Sequence, residues 1–293
     1  MNMPGSITHE LVAERAKTLL PKDIAALAET APDYFYLGAQ GPDLLFFYRP
    51  LSRKEPNFGR LLHRERIYDL FCAFMVTLRR MAGDNLKKAC AYVLGYISHC
   101  CADAVFHPFL YNFLHELRGG RFEHQQMEND WDVYFLAHYR GHGAEKYSFP
   151  FSPKKIICDE ALFLLWDSCT HILGRRDLSP AALRTAIQNY NRYLRFFHGR
   201  CYAQRRRLER IEKFFHLRGF SRLFPRGAPD GRILGGERFY ELADGLGRDA
   251  DELFTLATQR SADRMKTFSR CFLERTPLPR DEFSVHLHTG KNI

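Results

Sequence analysis

The sequence predicts an all-α protein, a multi-helix bundle. Apolar residues recur at helical spacing almost throughout, and no convincing hairpin or alternating strand pattern is present. Hydrophobic residues make up 45% and charged residues 26%, the ordinary balance of a globular protein. Two triplets of ligand-type side chains, His99/Asp103/His107 and His124/Glu128/Asp132, stand at four-residue spacing. On an α-helix that spacing puts each triplet on one face.

Taken in order, Ser6 or Thr8 can cap a first helix with Leu11, Ala16, Leu19 and Leu20 on its apolar face, stopped by Pro21. A short second helix spans 22–29. The run TAPDYFYLGAQGPDLLFFYRP, 30–50, reads as an ordered loop because of its Pro and Gly residues. Within it Asp43 lies near glycine, which lets the backbone approach a ligand closely. A helix over about 61–81 carries His63. The next, about 85–117 and capped by Asp84, holds the first triplet, and Pro108 should kink or end it. Gly119 and Gly120 turn the chain into a second ligand helix over about 123–139. A loop at 140–153 lies over or beside the site. Helices at 159–173, 179–197 and 199–218 follow, the second opened by Ser179-Pro180. A long exposed loop at 224–239 precedes a last amphipathic helix, about 239–274, broken near Gly245 and Gly247; the tail after Pro277 reads as irregular. The expected organisation is one all-α domain over 1–293, with the metal ligands in 1–140 and supporting helices in 155–275.

No run of eighteen uncharged apolar residues suggests a membrane span. The first twenty residues lack a basic stretch followed by an apolar core, so no secretory signal is read and the cytoplasm is the expected location. Eight cysteines are scattered without a CxxC pair and read as free, mostly buried thiols. The net charge of +9 is uneven: 175–232 holds fifteen Lys or Arg against four acids. That bias suits phosphate-bearing partners, anionic lipid surfaces or nucleic acid, and equally suits a solvated helix face.

Imidazole and carboxylate are the side chains that hold zinc and similar divalent ions, so two packed helices bearing the triplets make a candidate metal site. The sequence also resembles the zinc-dependent phospholipase C family, related in fold to single-strand-specific fungal nucleases. The resemblance is carried by Thr8-His9, LGAQGPDLLF around Asp43, GYISHCCADAVFHPF, and HQQMENDWD, in that order over the first 140 residues. It implies zinc as cofactor. Asp43, His63, His99 and Asp103 would hold one ion, and His107, His124 and Glu128 a second. Asp103 would bridge to a third ion that His9 also binds. Secreted members complete that third site with a processed N-terminal tryptophan, whereas here Met1 to Thr8 precede His9. Asp132 is given a place behind the ligands, orienting a ligand histidine. His115, His138, His142, His171, His198, His216, His286 and His288 are left as surface or core residues.

Closely spaced divalent ions polarise phosphoryl oxygens and activate water, so the implied activity is hydrolysis of a phosphoester. Asp43 is the candidate catalytic residue, orienting or deprotonating the attacking water as its family counterpart does. Three readings follow: a phosphodiesterase acting on a phospholipid, a nuclease using the Arg-rich stretch at 205–215, and a metal-stabilised binding protein without turnover. Phe46, Phe47 and Tyr48 are candidates to line the cleft. Oligomeric state is not legible.

Overall fold

The longest helix organises the chain. In the computed structural model, which describes residues 5–48, 58–116, 121–150, 159–174, 179–197, 201–217, 220–225 and 250–293, helix α6 spans Gly83–Glu116. Before it come α1 (Ser6–Lys17), α2 (Lys22–Thr30), α3 (Pro32–Gly38), a 3-10 turn (Gly41–Phe47), α4 (Phe58–Arg64) and α5 (Ile67–Leu78). After it come α7 (Arg121–Arg140), α8 (Glu160–Ile172), α9 (Pro180–Phe197), α10 (Cys201–Phe214), a 3-10 turn (Phe220–Leu223), α11 (Ala250–Glu274) and the short α12 (Arg280–Phe283). The described residues form no strand; one isolated bridge pairs Val285 with Asn292. The architecture is all-α.

Two apolar clusters meet on α6. Its first half packs Tyr92, Tyr96 and Ile97 among Phe35, Phe71, Phe74 and Trp166 from α3, α5 and α8. Its second half packs Phe106, Phe109 and Leu110 among Ile7, Trp131, Phe135 and Phe254 from α1, α7 and α11. By length and composition, residues 83–112 could cross a membrane, but 94% of that apolar window is buried inside the protein. The same residues that would face lipid here face other helices, as in the core of a globular bundle.

Several boundaries differ from the sequence reading. The 30–50 run contains the helix α3 and a 3-10 turn, because Pro32 and Pro42 sit in first turns, where a missing N–H costs nothing. The expected 61–81 helix is two helices, divided at Arg66, whose φ is 61°. Pro108 does not end α6. It leaves the Ala104 carbonyl without its helical donor, and Gly290 of the C-terminal segment packs there so closely that a Cβ would lie 2.6 Å from that oxygen. The tail is therefore ordered in part, with Leu287 N bonded to the His63 carbonyl at 2.9 Å. Neither Ser6 nor Thr8 caps α1. Asp159 and Ser179 do cap their helices, accepting from Ala161 N at 2.8 Å and Ala182 N at 3.2 Å. Cys72, Cys90, Cys100, Cys101, Cys169 and Cys271 are free, four of them buried. The expectations for 226–249, including the loop tip and the helix break near Gly245, lie outside the described residues.

Candidate metal centre

The stripe at four-residue spacing on α6 faces inward: His99, Asp103 and His107 are all buried. α7 brings His124 and Glu128 against its outer end, α1 brings His9, the 3-10 turn brings Asp43, and α4 brings His63, all of them buried too. Burying so many ionisable groups together is costly unless each finds a partner or a metal. Among the described residues the ligand atoms draw into three groups: His9/His99/Asp103, Asp43/His63/His99 and His107/His124/Glu128. All eight sequence candidates for metal ligation are in these groups.

Asp103 is the hub. Its Oδ2 lies 3.2 Å from His63 Nε2, 3.2 Å from His99 Nε2 and 3.6 Å from His107 Nδ1, while Oδ1 lies 3.3 Å from His9 Nε2. Asp43 Oδ1 lies 3.0 Å from His63 Nε2 and Oδ2 lies 3.7 Å from His99 Nε2. In the outer group Glu128 Oε1 is 2.9 Å from His124 Nε2 and 3.5 Å from His107 Nε2.

Backbone carbonyls orient two of the rings. His63 Nδ1 donates to Gly59 O at 2.6 Å and His99 Nδ1 to Ala39 O at 3.2 Å, so each presents Nε2 to the carboxylates. A histidine whose far nitrogen is fixed by a carbonyl is the usual arrangement behind a metal. Gly41 makes the approach of the Asp43 turn possible. Its φ is +50°, and a Cβ there would stand 2.3 Å from the His99 ring. His9 stacks on His99 with centroids 4.1 Å apart.

The charges are held in a pattern that fits a cation. Burial lowers the His63 pKa, but the Asp103 and Asp43 carboxylates beside it more than reverse this and push it up to about 10. His9 and His107 are raised in the same way, against burial, by Asp103. Burial and neighbouring His9 keep His99 low. Asp103 is held well below the carboxylate range: burial opposes ionisation, and His107 and His99 outweigh it. Glu128 is lowered likewise, by His124 and His107. Protons on these histidines supply positive charge that a divalent ion would otherwise bring. The geometry agrees: Asp43 Oδ2, His99 Nε2, Asp103 Oδ2, His107 Nδ1 and Glu128 Oε2 are buried without a hydrogen-bond partner. Native structures rarely leave so many polar atoms orphaned in one place unless an ion belongs there.

Asp132 has a different place from the one expected. It accepts from Ile7 N at 3.3 Å, from Thr8 N at 2.7 Å and from Thr8 Oγ1 at 2.7 Å. It satisfies the open amides at the start of α1 and so sets the helix that carries His9. Burial pushes its carboxyl up to about 7, against those hydrogen bonds.

A cleft of about 260 Å³ opens onto the centre. Beside Asp43, His63, His107 and Glu128 it is lined by Phe46, Arg60, Arg64, Tyr111 and His288. Of the three aromatics proposed for it, Phe46 lies there, whereas Phe47 packs on Tyr190 and Tyr193 in the core. Four lining residues were missed. Tyr111 is four residues past His107 and extends the α6 stripe, and Arg60 and Arg64 flank His63 on α4; both are readable once the helices are known. His288 has no signal in the sequence. Its ring comes within 5.2–5.6 Å of those of Tyr111, His107 and His63 only because the chain end folds back over α4 and α6.

The fold and the centre together describe a helical protein built to hold zinc-type ions in front of an open cleft. The chain belongs to the zinc-dependent phospholipase C family, whose model matches residues 8–162, a span that contains every ligand candidate. No curated protein and no solved structure matches the chain. Membership makes zinc the metal supported for these groups and a phospholipid or other phosphodiester the implied class of substrate.

Proposed function

We propose that this protein is a phospholipase C-type hydrolase that cleaves a phospholipid phosphodiester with water. The observation that carries the proposal is the convergence of buried, unpartnered ligand atoms on a cleft, within the span that matches the family. Asp43, His63, His99 and Asp103 would hold one ion, and His107, His124 and Glu128 a second. His99 can serve one ion only, since its Nδ1 is already committed to Ala39. Asp103, whose Oδ1 is turned toward His9, would help His9 to hold a third ion. When bound, zinc supplies a polarised phosphoryl group and an activated water.

The chain's own residues do the rest. Asp43 borders the cleft and its carboxylate has two oxygens, so one can serve the ion while the other orients the attacking water and takes its proton. Arg60 and Arg64 draw the phosphate in, and Tyr111 and His288 offer polar atoms beside it. Phe46 gives the wall an apolar part suited to the glycerol side of a lipid.

The test is zinc-dependent hydrolysis of phosphatidylcholine, single-stranded DNA and a soluble aryl phosphodiester. Asp43→Asn should cut turnover by about a hundredfold or more, the usual contribution of a general base. Full metal-dependent activity in that variant would contradict the role of Asp43. A second reading, a nuclease, draws on Arg60 and Arg64 beside Phe46 and Tyr111, since cations interleaved with rings suit unpaired bases. Preference for DNA over lipid would select it. Bound zinc with no turnover of any of the three would select a non-catalytic binding protein.

A further inference from the structure

We propose that the outer end of α10 and the turns after it form a docking surface for an anionic lipid bilayer. The helix ends at Phe214, and Leu217 N closes back on Glu212 O at 2.9 Å while His216 takes a φ of 53°. That left-handed residue ends the helix with its apolar side chains outside. Phe214 is 77% exposed, Phe215 62%, Leu217 58% and Phe220 63%, and Ile211, one turn before Phe214, is 49% exposed. Phe220 joins them because its neighbour Ser221 is bonded to Glu212 through N and Oγ, at 2.9 and 2.6 Å. Single exposed apolar residues are commonplace, but five within ten consecutive positions, with the Phe214 and Phe215 rings 5.0 Å apart, mark an interaction surface.

The charges beside the patch choose the partner. Arg207, Arg210 and Lys213 are exposed at three-residue spacing along the same helix, next to the Ile211–Phe214 stripe. The acids of the segment are engaged within the protein: Glu209 accepts from Arg205 Nε at 2.7 Å, and Glu212 holds Ser221. Cations flanking an apolar face are the composition of a helix that lies in the headgroup layer of an anionic membrane. A second copy of the chain would bring like charges face to face. Nucleic acid would leave Ile211 and Leu217 unused, since neither has a ring face to stack on a base.

The surface is tied to the metal centre. Arg205, itself buried, donates to Gln126 Oε1 at 2.6 Å and to Phe224 O at 2.6 Å. Asn129 Nδ2 donates to Arg222 O at 2.8 Å, and Arg222 pairs with Glu123. Gln126, Asn129 and Glu123 all lie on α7, the helix of His124 and Glu128.

The choice of lipid rests in part on the phospholipid reading above, but docking is measured without turnover. The experiment is co-sedimentation of the zinc-loaded protein with vesicles of phosphatidylserine and phosphatidylcholine, and with phosphatidylcholine alone. The wild type should bind the anionic vesicles and release them in high salt. Phe214→Ser/Phe215→Ser and Arg207→Glu/Arg210→Glu should each bind at least about tenfold more weakly, with hydrolysis of a soluble phosphodiester unchanged. Wild-type protein left in the supernatant, or variants that bind as the wild type does, would overturn the proposal. So would loss, in these variants, of a dimer or of DNA binding in place of vesicle binding. Vesicle binding without hydrolysis would remove the phospholipase reading and leave the surface standing; soluble-ester hydrolysis without vesicle binding would do the reverse.

Discussion

The inner and outer parts of the metal centre are built differently. In the inner part, His63 and His99 each have one ring nitrogen fixed by a backbone carbonyl, and Gly41 lets the Asp43 turn press against His99. In the outer part, the contacts around His107, His124 and Glu128 run between the ligand side chains themselves. Preorganised ligands lose less freedom on binding, so the inner group should hold its ion more tightly and the outer group should exchange its ion more readily.

Substitutions should divide along that line. Asp103→Ala removes the carboxylate that faces four histidines, and it should lower inner zinc affinity and turnover by more than about a hundredfold, beyond what loss of a supporting partner costs. Glu128→Ala should release one ion and leave the inner one, as zinc analysis of the two proteins would read. Equal losses in both would erase the distinction. In a chelator chase of the wild type, zinc should leave in two phases with the outer ion first; a single phase for all ions would contradict it. Gly41→Ala forces a methyl into the His99 ring and a side chain onto a positive φ, at a cost of about 1–3 kcal/mol in overpacking. It should weaken the inner ion and spare the outer, which zinc titration would resolve.

The smallest effect is expected at Asp132. Its folded pKa of about 7 lies above the ordinary aspartate range, so the protonated form is the stabilising one. That contribution is complete below about pH 4 and is lost as pH rises through about 7. Asn cannot ionise, so Asp132→Asn should gain on the wild type in melting temperature between pH 5 and 8, by several °C at about 2–4 °C per kcal/mol. A difference that stays flat with pH would show that Asp132 is not held protonated there.

What could be read from the sequence follows the range of the interactions. The α6 and α7 ligands were legible because an i, i+4 pattern is a local rule, and His99, Asp103, His107, His124 and Glu128 obey it. His9 and Asp43 needed the family motifs, since nothing local marks a lone histidine or aspartate. The helices of 30–50 were hidden by prolines that also open helices. Asp132 has the spacing of a ligand and bonds instead to amides over a hundred residues away. His288 was unreadable for the same reason: its place depends on Leu287 meeting the His63 carbonyl, a contact across more than two hundred residues. Long-range contacts leave no periodicity to read.

The central claim is that these buried groups form a zinc centre with more than one ion. Elemental analysis of the purified protein after exhaustive dialysis tests it most directly. Two or more zinc ions per chain in the wild type, falling by about one in Glu128→Ala, is the predicted result. Fewer than one tightly bound ion per chain would contradict the account.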